Sequence, residues 1–146
     1  MIQPLLRGLG VTLEITAAAA ALAILIALAA GLARLSRSRW LRWPASVYVE
    51  VFRGTSALVQ LFWFYFVLPF FGVELSAFAA GTLVLALNTG AYGSEVVRGA
   101  VQAVPRGQRE AAAALNLGRL QALRRVILPQ ALPAMLPPAG NLAIEL

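Results

Sequence analysis

Gly107-Gln108-Arg109-Glu110-Ala111-Ala112-Ala113-Ala114 is a polar, alanine-rich stretch, and Val126-Ile127-Leu128-Pro129 follows it, leading into another apolar run. The two lie among segments apolar enough to live in a bilayer. A small-residue helix projecting out of a membrane is suited to hand force or information to a soluble partner. Four consecutive alanines make it thin enough to sit deep in a groove of another protein.

The surrounding composition points the same way. The chain has 146 residues, 60% of them hydrophobic and only 12% charged. A soluble domain of this length needs far more polar surface. Long apolar runs indicate an all-α, polytopic helical membrane protein forming one domain over residues 1–146. The sequence contains no Cys, His or Asp. That excludes thiol chemistry, histidine–cysteine metal sites and triads with a His base, so no catalytic residue, metal or cofactor is expected. No phosphate-binding loop of the Walker type is present either. The twelve basic residues are all Arg and lie beside the apolar spans. They read as membrane-flank charge, with no nucleic-acid partner.

Three full spans are expected, at about 11–35, 56–71 and 76–97, with a fourth starting at 134. Arg7 precedes the first span and four arginines follow it, which argues against a cleaved signal peptide. Pro69 and Gly72-Val73-Glu74 form a tight hairpin between spans two and three. Arg7 is the only basic residue before span one, and the hairpin has none. The loop between spans one and two has five arginines, and the segment after span three has six. The positive-inside rule then puts the N-terminus outside and both Arg-rich segments in the cytoplasm, the second being a loop at 105–130.

Within that loop two short helices are expected, ending at the prolines. Asn116 tolerates the left-handed conformation that closes a helix, and Gly118 caps the next. The alternative is an amphipathic pair lying on lipid headgroups, which fits 119–127 better than 108–115. Within the spans, Gln60, Asn88, Thr89 and Tyr92 are candidates for a solute path or for helix-to-helix hydrogen bonds. Glu50/Arg53 and Glu95/Arg98, each three apart, can pair on one helix face.

The loop resembles the EAA loop of bacterial ABC-importer permeases: Glu-Ala-Ala, three residues, Gly, nine residues, Ile-x-Leu-Pro. Glu110-Ala111-Ala112 is followed at those distances by Asn116, in place of Gly, and by Val126-Ile127-Leu128-Pro129, with Val in place of Ile. Glu50-x-x-Arg53-Gly54-Thr55 with Gln60-Leu61, and Ala91-Tyr92-x-x-Glu95-x-x-Arg98-Gly99, are similar to polar-amino-acid permeases. Gly54-Thr55-Ser56-Ala57-Leu58 and Leu115-Asn116-Leu117-Gly118 are most similar to the ectoine/hydroxyectoine branch. The resemblance covers roughly residues 8–146. It implies the type I importer permease fold with five spans, hence a C-terminally truncated chain, in the bacterial inner membrane. It also implies an ABC ATPase subunit, a second permease subunit and an extracytoplasmic solute-binding protein as partners, besides lipid. On it, Gly107, Gln108, Glu110, Ala111, Ala112, Asn116 and Leu117 would carry coupling to the ATPase. A membrane scaffold that recruits a soluble partner without transport is the competing function.

Overall fold

A computed structural model describes residues 2–146, and among the described residues every regular element is helical. Helix α1 spans Ile2–Leu35, starting nine residues before the expected span. Its alanines, leucines and isoleucines hold the ladder, and Pro4 falls in the first turn, where a missing N–H costs nothing.

Helix α4, Ala77–Ala103, packs against α1 more extensively than any other pair. Contacts pair Ile15 with Gly81, Ile26 with Gly90, Ala27 with Gly93 and Gly31 with Val97. Both numbers rise together, so the helices run parallel. The seam is close: a Cβ on Gly31, Gly90 or Gly93 would lie 2.7–2.8 Å from a side-chain atom of the facing helix. In a membrane such small residues supply the packing that apolarity alone cannot.

A parallel pair obliges the intervening residues to return the chain along its length. The segment read as an Arg-rich loop is in fact helix α2, Arg39–Gly54. Helix α3, Ala57–Phe62, follows and continues through a π turn, Trp63–Val67, and a 3₁₀ turn, Leu68–Phe71. The 57–71 run leaves α2 at 104°. It descends beside α4 from Gln60, opposite Asn88, to Phe66 near Ala77. Gly72 closes it at φ 84°, making the expected hairpin, and the Ser76 hydroxyl accepts from Ala79 N to cap α4.

Among the described residues, α1 alone is long and apolar enough to cross a bilayer by itself, and the bent 39–71 pair passes the same test jointly. Helix α4, the expected third span, falls short of it. As the central helix it lies against α1, α2, α3 and the last helix, so neighbouring protein can satisfy its polar residues.

After α4 come α5, Arg106–Ala114, and α6, Arg119–Ala122, which passes through a π turn at Leu123–Ile127 into α7, Leu128–Glu145. The second loop helix therefore does not end at the prolines, and the helix that carries the apolar stretch from 134 is already under way before it. One rod runs from 119 to 145 through Pro129, Pro133, Pro137 and Pro138. The π turn explains its passage: Leu128 N bonds Leu123 O, five residues back, just before Pro129 withdraws its own N–H. The same device precedes Pro69, where Leu68 N bonds Trp63 O. Helix α7 runs antiparallel to α4, and Ala131 and Met135 pack with Val97, Ala100 and Val101.

Candidate functional site

The α5 helix is divided lengthwise. Gly107, Glu110, Ala111 and Ala114, spaced i, i+3, i+4, i+7, are all exposed on its outer side. The inner side is tied down: Arg109 Nη2 donates to Val101 O at 2.7 Å, and Gln130 Nε2 donates to Gln108 Oε1 at 3.2 Å. Ala112 is buried. The expected coupling residues thus fall on two faces, with Gln108 and Ala112 anchoring the helix and Gly107, Glu110 and Ala111 free. Among the described residues Glu110 has no ion-pair partner.

Asn116 ends α5 at φ 58°. Asn116 N bonds Ala113 O at 2.9 Å, and Leu117 N bonds Ala112 O at 3.0 Å. This pair of bonds is a Schellman motif, and it satisfies two carbonyls the helix end would otherwise orphan. Left-handed backbone costs a residue with a full Cβ roughly 1–2 kcal/mol, and Asn less. Asn116→Val is therefore expected to lower unfolding stability by about 1–2 kcal/mol while Asn116→Gly is neutral or slightly stabilising. Thermal melts in detergent separate them, and equal melting of Val and Gly variants would refute the constraint.

At the α5 end of the bundle, Glu95 gathers three arginines from three helices. Arg34 Nη1 of α1 lies 2.6 Å from Oε1, Arg53 Nη1 of α2 3.1 Å from the same oxygen, and Arg98 Nη2 of α4 2.8 Å from Oε2. The side chains of Glu95 and Arg34 are only 23% and 14% exposed. The spacing of Glu50 and Arg53 suggested a second pair, but Arg53 turns to Glu95 and none forms with Glu50 among the described residues. Glu50 stays exposed. The partnership of Arg34 with Glu95 is invisible to local spacing, because 61 residues separate them. The one sequence signal for Arg34 was its position, first in the arginine run closing α1.

Gln60 and Asn88 meet at the α2–α3 elbow. Breaking the ladder at Gly54–Ser56 strands carbonyls. Gln60 Nε2 donates to Phe52 O at 2.8 Å and to Thr55 O at 3.2 Å, and Asn88 Nδ2 donates to Phe52 O at 3.1 Å. Asn88 Nδ2 also donates to Gln60 Oε1 at 3.2 Å. A buried carbonyl left without a donor costs about 1–3 kcal/mol, so these amides make the bend affordable. Tyr92, one turn on from Asn88, reaches the next residue of the elbow: its hydroxyl donates to Arg53 O at 3.5 Å and its ring lies 5.2 Å from the Arg53 guanidinium. Thr89 faces the opposite way, into an apolar recess of about 280 Å³ between α1, α4 and α7. The four path candidates therefore do not form one cluster.

Residues 9–146 match the family described as binding-protein-dependent transport system inner membrane components. The chain is 48% identical, over 97% of its length, to a probable amino-acid ABC transporter permease protein, y4tF, of Sinorhizobium fredii. It is 42% identical over 94% to the glutamine transport system permease protein GlnP of Escherichia coli, and 41% identical over 95% to the L-cystine transport system permease protein TcyB of Bacillus subtilis. It spans 62%, 64% and 59% of those relatives' lengths respectively. The fold superposes on a crystal structure of an amino acid ABC transporter with histidines at a TM-score of 0.83 and 37% identity, covering 99% of this chain and 71% of that one. A methionine ABC transporter, MetNI, in inward-facing conformations gives 0.82 at 26% identity, covering 99% and 70%. With this agreement of sequence over nearly its whole length and of helical architecture, the chain belongs to the inner-membrane permease components of binding-protein-dependent ABC transport systems.

Proposed function

We propose that this chain forms the membrane-spanning part of an ATP-driven importer for a polar amino acid or compatible solute, ectoine and hydroxyectoine included. The observation that carries the reading is the two-faced α5 helix, anchored on one side and free on the other, at one end of the parallel α1–α4 pair. In this reading α1, the bent α2–α3 pair and α4 cross the inner membrane, the N-terminus is outside and α7 begins the fourth crossing. Both Arg-rich segments adjoin the C-terminal ends of α1 and α4, as that orientation requires.

The free stripe Gly107–Glu110–Ala111–Ala114 docks in a cleft of a separate ATPase subunit, and the Asn116–Leu117 turn fixes its angle. ATP hydrolysis belongs to that subunit, so this chain is not itself an enzyme. A second permease subunit, identical or related, and an extracytoplasmic solute-binding protein complete the assembly. Gln60 and Asn88 shape the path by holding the elbow, while Thr89 and Tyr92 border it from two sides of α4.

Reconstitution with the ATPase and binding protein in vesicles tests this. Binding protein loaded with its solute should stimulate ATP hydrolysis and drive uptake of that solute from a panel of polar amino acids and ectoine. ATPase recruitment without stimulated hydrolysis or uptake would leave a scaffold and overturn the importer reading.

A further inference from the structure

Residues 37–44 are exposed without exception, at the point where the chain leaves α1. Along the first turns of α2, Trp40, Trp43, Pro44 and Val47 fall at i, i+3, i+4, i+7 on one face, and Arg39 and Arg42 flank them. Trp40 is 90% exposed and Trp43 69%. Arg39, Trp40, Trp43 and Pro44 line a recess of about 470 Å³. No acidic residue occurs between Glu14 and Glu50. Among the described residues Arg37, Arg39 and Arg42 make no ion pair, because the one carboxylate cluster, at Glu95, takes Arg34, Arg53 and Arg98 instead.

We infer that this patch is a binding site for the headgroup of an anionic phospholipid. Charge complementarity selects an anion. The indoles select a lipid over an acidic protein, since Trp prefers the level where acyl chains meet headgroups. The guanidinium fork of Arg39 or Arg42 suits a phosphate bidentately, and the Trp40 and Trp43 rings pack the glycerol region. The inference goes beyond the importer reading and rests only on residence in the membrane.

The test uses the protein with Trp63→Phe, leaving Trp40 and Trp43 as reporters, in vesicles of phosphatidylcholine and phosphatidylglycerol in equal amounts. Bromine is placed near the headgroup end of the acyl chains of one lipid or the other. Brominated phosphatidylglycerol should quench about fivefold more strongly, the preference expected of one surface arginine, or more if several act together. R37Q/R39Q/R42Q should bring the two lipids level. Raising the salt concentration should narrow the gap in the unsubstituted patch, which keeps the test decisive if the triple variant fails to fold. Equal quenching by both lipids, or a gap unmoved by salt, would overturn the site. Absence of quenching by either lipid would show the patch covered by protein and overturn it too.

Discussion

Glu110→Lys yields a permease that inserts and folds normally but no longer supports uptake. Glu110 is exposed and without an ion-pair partner among the described residues, so the exchange costs the fold no more than about 0.5 kcal/mol. Docking is another matter. The outer stripe of α5 is otherwise glycine and alanine, leaving Glu110 as the stripe's one charge, while the neighbouring Arg109 is turned to Val101 O. In the docking proposed above, with a basic residue facing Glu110 in the cleft, reversal replaces an attraction with a like-charge contact, which costs several kcal/mol when desolvated. Co-purification of the ATPase and solute uptake should both be lost while the melting temperature holds. Retained uptake would remove Glu110 from the coupling surface, without touching the family assignment.

The second large effect lies at Glu95. Glu95→Gln leaves Arg34, Arg53 and Arg98 converging on a neutral amide. Breaking a buried pair costs about 3–5 kcal/mol, and partial solvent access here reduces that to about 2–3 kcal/mol. The loss should appear as lower resistance to denaturant in micelles. A double-mutant cycle identifies the cause: Arg34→Leu should cost much less in the Glu95→Gln background than in the natural one, because the partner charge has gone. Additive losses would mean that Arg34 and Glu95 stabilise the bundle independently, whatever their separation.

What the sequence revealed was local chemistry at fixed spacing. Asn116 could be read as a left-handed helix stop because few side chains tolerate that backbone, and Glu95–Arg98 followed from three residues of helical separation. The Pro69–Gly72 hairpin was equally plain. The failures were all matters of tertiary context. Arg39–Gly54 looked like a loop because arginines, tryptophans and Pro44 obscure its helical run. The prolines after Ile127 looked like a stop because a lone chain cannot reveal a π turn that absorbs a missing amide. Gln60 and Asn88 stood out as polar residues in apolar surroundings, but their acceptors became visible only with the elbow. Nor does spacing alone disclose that Gln108 is tied to Gln130 and Ala112 is buried while Glu110 is left without an ion-pair partner; that depended on where α4 ends.

The four prolines of the last rod also fix the stoichiometry of its hydrogen bonds. The last three each withdraw one amide proton that residue i−4 would have accepted, at Pro129, Pro133 and Ala134, while the π turn takes up the loss at the first. Pro129 and Pro133 stand four residues apart, so their oxygens lie one above the other on one side of the rod. That side is turned away from the bundle, since all four prolines are exposed while Ala131 and Met135 are buried. Hydrocarbon offers no protons to such a row of acceptors. The outer side of α7 therefore carries acceptors without donors in their own helix, and wherever it meets hydrocarbon it calls for a donor-bearing neighbour or a column of water.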